Sequence, residues 1–177
     1  ISNFLSNLRT PLVAVNQLLQ GQGKNAAESV GRFAVNTTAG VLGIIDVAEK
    51  VGLEEKEEDF GQTLGTWGVG DGFYLVLPIF GPSNLRDSAG MILTYSTDPI
   101  NLYAVREGEA WLVPLRVATN AVDQRSKIID EVNAMRDNSV DYYATVRSSY
   151  YQNRKAAIQN IDDTELTPLP LISVEFE

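Results

Sequence analysis

The 177-residue chain carries 14 Lys and Arg against 23 Asp and Glu, with no His and no Cys, for a formal charge of -9. That length suits one domain around one core, and the acidic balance argues against a nucleic-acid surface held by phosphate contacts. The missing His and Cys remove the commonest general base, the commonest transition-metal ligands and every thiol mechanism, and leave the redox compartment unmarked.

The first segment places Phe4, Leu5, Leu8, Leu12, Val15, Leu18 and Leu19 on one helical stripe, interrupted by Pro11. Thr10 suits a cap and Pro11 a first helical position, so the preferred reading is two helices, 3–9 and 11–20, stopped by Gly21. A single kinked helix stays open as the alternative. Asn25 followed by Glu28 resembles a capping box and predicts a helix over 26–38. Residues 41–48, between Gly40 and Glu49, read as a short helix or a buried extended run, with helix preferred. The charge run Glu54-Glu55-Lys56-Glu57-Glu58-Asp59 reads as a solvated face without the spacing of a calcium loop.

Half of the 14 glycines fall between Gly61 and Gly90. Such density disfavours helix and strand interiors, and the segment is expected to be a turn-rich connection. Within it Phe73-Tyr74-Leu75-Val76-Leu77-Pro78 is apolar enough for a strand, which needs a partner and therefore predicts a small hairpin. Asp98-Pro99 predicts a capped helix running to Val105, with Gly108 ending the segment. Long helices follow over 114–135 and 139–160, and residues 162–177 read as an extended arm. No repeat or low-complexity segment is present. Neither apolar run, 41–47 nor 75–80, approaches the roughly 20 residues that span a bilayer as a helix. The start at Ile1, without Met or a signal-like segment, predicts a processed or trimmed fragment.

Few constellations carry chemistry. Gly68-Val69-Gly70-Asp71-Gly72 lacks dinucleotide spacing and a Walker lysine, so a turn is the better reading. Asp46, Asp59, Asp71, Asp87 and Asp98 supply carboxylates for an acid and base pair, at separations the sequence does not give. Ser83 beside Arg86-Asp87 reads as a cap and ion pair, because serine activation needs a base that no histidine supplies. Tyr142, Tyr143, Tyr150 and Tyr151 with Arg147 read as core packing, or as an interfacial belt.

Several runs are nonetheless distinctive: Asn3-Phe4-Leu5-Ser6-Asn7-Leu8 with Pro11, Arg32-Phe33 with Asn36-Thr37 and Gly40, Gly43 with Asp46-Val47-Ala48, and Phe60-Gly61-Gln62-Thr63-Leu64-Gly65. With Trp67-Gly68-Val69-Gly70, Leu77-Pro78, Gly81-Pro82-Ser83, Leu85-Arg86-Asp87 and Gly90, they closely resemble the MlaA/VacJ family of outer-membrane lipoproteins. Ser139, Asp141, Tyr143, Arg147, Tyr150, Gln152 and Arg154 resemble its C-terminal helix. Phe73 and Tyr142 stand where that family pattern has proline, and the family's N-terminal region with its lipid-bearing cysteine is not in this sequence.

The resemblance implies a mainly α fold: a compact ring-like bundle of amphipathic helices with a Gly-rich loop or small hairpin, one domain over 1–161 and a tail over 162–177. It implies a body in the inner leaflet of the outer membrane, on the periplasmic side, with an amphipathic channel and no catalytic residue, metal or cofactor. Its work would be removal of mislocalised phospholipid from the outer leaflet, with a porin trimer and a periplasmic lipid carrier as partners and no nucleic acid. Gly68, Gly70 and Gly72 are the expected channel loop or hinge, and Arg86 and Asp87 a candidate structural motif. A periplasmic interaction or scaffold module without a lipid path is the alternative, and hydrolysis using Asp87 a distant third.

Overall fold

The computed structural model describes residues 2–161; the expected tail, 162–177, lies outside the described residues. In chain order the elements are α1 (Ser2–Leu19), α2 (Gly23–Thr38), a 3-10 turn (Glu49–Val51), α3 (Phe60–Thr66), β1 (Tyr74–Leu77), β2 (Gly81–Asn84), α4 (Leu85–Thr97), α5 (Pro99–Arg106), α6 (Leu112–Asn138) and α7 (Tyr142–Gln159). The fold is mainly α with one two-stranded antiparallel hairpin, Tyr74 opposite Asn84 and Leu77 opposite Gly81.

α1 is one helix running through Pro11, so the division into two helices is corrected. An interior proline removes one backbone bond at a cost of about 3 kcal/mol. Thr10 Oγ1 donates to the Ser6 carbonyl at 3.0 Å beside the defect, and α1 packs along α2, where Ser29 Oγ donates to Gln17 Oε1 at 2.8 Å. α2 starts a turn earlier than expected and without the capping box. Left-handed Gly21 turns the chain directly back into helix, while Asn25 Nδ2 donates to Gln22 Oε1 at 2.6 Å rather than capping.

Residues 41–48 are not helical. Val41, Leu42 and Gly43 take φ of 54°, 58° and 88°, three consecutive left-handed residues that a right-handed helix cannot hold. The turn is pinned from below: Asn36 Oδ1 accepts from Val47 N and Ala48 N at 2.9 and 2.8 Å, and Asp46 accepts from Asn36 Nδ2 at 3.0 Å and Arg32 at 2.7 Å. Burial opposes the Asp46 charge, but these donors and the backbone of Glu49 outweigh it and hold the carboxyl below its ordinary range.

The glycine segment is more ordered than its composition suggests. It opens with α3, capped by Asp59, whose Oδ1 accepts from Gln62 N at 2.9 Å. After the hairpin, Asn84 Oδ1 accepts from Asp87 N at 2.7 Å and opens α4, a helix the glycine count concealed. The two helices cross at glycines: a methyl built on Gly90 would lie 2.7 Å from Gly61 Cα and overlap Gly61 N. α5 begins as the Asp98-Pro99 pair predicts, with Asp98 Oδ1 accepting from Ile100 N at 2.9 Å. α6 and α7 match the two long helices, with Ser139 capping the end of α6 and Asp141 the start of α7.

Consecutive packing of α3 on α4, α4 on α5, α5 on α6 and α6 on α7 returns through α7 on α3, a closed circuit with α1 lying against α3. The buried side chains are largely polar. The largest fully buried side chains are Gln17, Asn16, Asn84 and Thr63, and the buried apolar residues are Leu5, Leu12 and alanines. Large apolar side chains lie outside, with Leu18, Phe73, Val76, Ile79, Ile92 and Tyr103 among the exposed. The buried polar set is the informative departure from an ordinary soluble core.

The α3–α4 crossing generates a test. Gly90→Ala should lower the free energy of unfolding by about 1–3 kcal/mol, the usual cost of forcing atoms into a close-packed contact. Gly52→Ala adds a methyl that meets nothing within 4 Å and bears only the strain of φ 85°; it should cost about 1 kcal/mol. Urea titrations of both variants check the ordering.

Candidate functional site

Three short sequence signals meet at the centre of the circuit: the cap of α3, the first turn of α4 and one face of α7. Asp59 caps α3 and is therefore fixed in direction. Asp87 follows the α4 cap, and Tyr150 and Arg154, four residues apart, project from one face of α7. The Arg154 guanidinium lies between the two carboxylates, Nη1 to Asp59 Oδ2 at 2.8 Å, Nη2 to Asp59 Oδ1 at 2.6 Å and Nη2 to Asp87 Oδ1 at 3.1 Å. Its Nε is 2.7 Å from Asp87 Oδ2, close but not aligned for a hydrogen bond.

Asp87 also accepts from Arg86 Nε at 2.9 Å, from Asn84 Nδ2 at 3.0 Å and from the Tyr150 hydroxyl. Two guanidinium groups, Arg154 and Arg86, thus meet these two carboxylates. Burial opposes the Asp59 charge, yet the hydrogen bonds and positive charge of Arg154 win and set its carboxyl below the usual 3.8. Burial, then Asp87, pushes the Tyr150 phenol up. With every lone pair of Asp87 engaged, the carboxylate is not a free base, and Ser83 Oγ pairs with Ser88 Oγ at 3.0 Å rather than with an activating group. The geometry thus disfavours the hydrolytic alternative.

Arg86 extends the network outward. Its Nη1 meets Asp71 Oδ1 at 2.5 Å and the Val69 carbonyl at 3.4 Å, so the expected structural pair Arg86-Asp87 connects the glycine loop to Arg154. Gly68 and Gly72 need their residue type, with φ of 88° and 69°, and a methyl on Gly72 would press on Leu85 Cβ at 2.8 Å. Gly70 has neither constraint. All three lie on an exposed loop, and none lines a cavity.

Two adjoining cavities occupy the circuit. The larger, about 490 Å³, lies between the hairpin tip, α6 and α7; the smaller, about 210 Å³, reaches inward to α1 and α4. They share Arg9, Glu58, Phe80, Gln124, Tyr150 and Arg154 along their common wall. Apolar Val132, Met135 and Val146 line the larger one and Leu12, Val13 and Met91 the smaller. Deep in the smaller cavity Arg116 Nη1 pairs with Asp98 Oδ1 at 2.6 Å and donates to Asn101 Oδ1 at 3.0 Å. Among the described residues no group of three acidic side chains could hold a metal ion.

The charge run is solvated only in part. Glu58 is buried, its Oε2 accepting from Gln20 Nε2 at 2.8 Å, and burial raises its carboxyl above the usual 4.5. The tyrosines form no core. Tyr143, Tyr150 and Tyr151 gather around Tyr74 of β1, with ring centroids 5.7–6.0 Å from it, and Arg147 lies over Tyr74 at 5.6 Å. Sequence reasoning missed Arg154 as the common partner of Asp59 and Asp87, and Arg9 as a wall residue. The i,i+4 spacing of Tyr150 and Arg154 and the cap position of Asp59 were the signals available.

The family model for the MlaA lipoprotein matches residues 1–157. An uncharacterized protein of Rickettsia bellii is 39% identical over 160 residues, covering 90% of this chain and 61% of that relative. The intermembrane phospholipid transport system lipoprotein MlaA of Escherichia coli is 35% identical over 156 residues, 86% of this chain and 59% of the relative. The chain therefore spans about three fifths of these curated relatives. A solved structure described as "Structural basis for maintenance of bacterial outer membrane lipid asymmetry" superposes with a TM-score of 0.75 at 34% identity, covering 89% of this chain and 78% of the other.

The ion network has a defined response to substitution and pH. Arg154→Met leaves Asp59 without a cation and Asp87 with Arg86 alone, and should cost about 3–5 kcal/mol of stability near neutral pH. Asp59 has a folded value below its unfolded 3.8, so its contribution is complete above 3.8 and is lost as pH falls from there through the lower folded value. Asp59→Asn should therefore be less stable than the parent by about 2 kcal/mol at pH 7, with the gap closing below about pH 4. Chemical denaturation across that range checks both the size and the sign.

Proposed function

Because the chain belongs to the MlaA lipoprotein family, we propose that it transports phospholipid without enzymatic turnover, taking mislocalised lipid from the outer leaflet of the outer membrane through its central cavities toward a periplasmic carrier. The observation that carries this reading is the reversed distribution of polarity, with Gln17, Asn16, Asn84 and Thr63 buried and large apolar side chains exposed. An apolar exterior suits contact with hydrocarbon, and cavity walls that set Arg9, Gln124 and Arg154 beside apolar side chains lower the several kcal/mol barrier to moving a charged headgroup past it.

No described helix is long and apolar enough to cross a membrane. Amphipathic helices of this kind can lie in the plane of a leaflet, which supports placement in the inner leaflet of the outer membrane, with a porin trimer beside it. Residues 1–161 act as one helical domain in this reading. The glycine loop is the proposed hinge, held on one side by Arg86 through Val69 and Asp71. Its free position is Gly70.

Gly68→Pro confounds movement with folding, since φ of 88° is closed to proline. Gly70→Pro is the sharper variant. In the bacterium that encodes the protein, it should slow clearance of phospholipid from the cell surface while Gly70→Ala, whose methyl meets nothing within 4 Å, leaves clearance intact. Normal clearance by Gly70→Pro sinks the hinge. For the scaffold alternative, native mass spectrometry after gentle detergent extraction decides: protein recovered with a partner and no phospholipid would overturn the transport reading.

A further inference from the structure

Carboxylates outnumber cations on the wall of the larger cavity, Glu57, Glu58, Asp59 and Glu131 against Arg9, Arg125 and Arg154, but the pairing among them is specific. In the smaller cavity Arg116 is committed to Asp98, and Arg154 to Asp59 and Asp87. In a third, narrow recess beside α2, Arg32 is committed to Asp46 and Lys56 to Glu28. Arg9 lines all three spaces and makes neither an ion pair nor a hydrogen bond among the described residues. The larger cavity adds one more uncommitted cation, Arg125, exposed on α6. Of the wall acids, Glu58 is buried and engaged by Gln20, and burial favours its neutral form, while Glu57 and Glu131 are exposed to solvent.

Arg9 is half-buried on the middle of α1, two residues before Pro11, with Leu12 and Val13 beside it on the cavity wall. Its charge is felt at Tyr95, whose phenol is raised by burial and drawn back by Arg9. Holding a guanidinium partly out of water with no direct ion-pair partner costs free energy that a bound anion returns. The planar fork matches a phosphate or carboxylate through two parallel hydrogen bonds, and the apolar side chains on the same wall suit an attached hydrocarbon chain.

We propose that Arg9 is the anion-binding residue of the cavity, gripping the phosphate of a bound amphiphile, with Arg125 at the mouth as the first cation the headgroup meets. The assignment rests on the lipid-transport reading and adds to it the residue that recognises the headgroup. A chain whose net charge is -9 repels anions at long range, so phosphate binding here requires a guanidinium free to make direct contact.

The test uses the whole chain in detergent with phosphatidylglycerol vesicles, measuring lipid phosphorus retained after re-isolation, and inorganic phosphate as competitor. Arg9→Gln should weaken retention about tenfold, the loss of a charge-assisted pair, and Arg9→Lys should recover part of it. Thermal melts identify any folding failure of Arg9→Gln, in which case the graded loss in Arg9→Lys relative to the parent carries the comparison. Retention by folded Arg9→Gln equal to the parent, or by Arg9→Lys if Arg9→Gln does not fold, overturns the Arg9 assignment while leaving lipid transport standing. A parent that retains no lipid overturns both. Displacement of lipid by millimolar inorganic phosphate overturns the amphiphile and makes the ligand a small anion.

Discussion

Closure of the helical circuit depends on Arg154. α3 and α4 are neighbours in sequence and cross at two glycines, but α7 begins more than forty residues after α4 ends and must return to them across the whole interior. Its route back ends in a guanidinium placed between Asp59 and Asp87. Such ion networks rarely add net stability over an apolar equivalent, because desolvation offsets attraction. Their geometric demand is strict, however, and here the demand is useful: only one register of α7 brings Arg154 to both acids and the Tyr150 hydroxyl to the second. In an interior that keeps open space, a directional contact fixes position where shape-filling apolar packing cannot.

The same constraint explains the composition of the buried set. With cavities of about 490 and 210 Å³ at its centre, the molecule cannot gain a dense apolar core of the usual kind. Order comes instead from hydrogen-bonded amides and hydroxyls, as where Thr63 Oγ1 donates to the buried Asn16 Oδ1 at 2.7 Å, and from close backbone approach at Gly61 and Gly90. Asn36 plays the corresponding role below the 41–48 turn, converting one side chain into three backbone and carboxylate contacts. Apolar burial is then left to the outer face, where hydrocarbon rather than protein can supply it.

Legibility in the sequence followed from whether a signal was local. Asp98-Pro99 announced α5, the long apolar stripes announced α6 and α7, and the apolar run at Phe73 announced the hairpin. α3 and α4 were hidden because glycine reads as a helix breaker, whereas in these two helices it permits a crossing that no larger residue allows. The left-handed turn at Val41 and Leu42 defied its own residue types, since branched and bulky side chains disfavour φ above zero; the tertiary clamp on Asp46 and Asn36 overrides that preference. Family motifs pointed to Arg86-Asp87, but Asp59 was read inside a solvated run, and nothing in a linear pattern pairs residue 59 with residue 154. The cap position of Asp59 fixed its direction and left its partner unspecified.

The path from the glycine loop to the centre limits what movement there can mean. Val69 and Asp71 are both held by Arg86, which is itself buried and bonded to Asp87. Gly70 therefore lies between two anchored neighbours, while Gly68 before them keeps the left-handed conformation that ends α3. A swing of the entire loop would have to release Asp71 from a guanidinium whose other partner is the Arg154 network, leaving a buried charge short of a counter-ion. Rotation of the peptides flanking Gly70 needs no such release. A hinge compatible with this geometry is consequently small and local, and any larger displacement of the loop must be coupled to Arg86 and through it to the contact that closes the circuit.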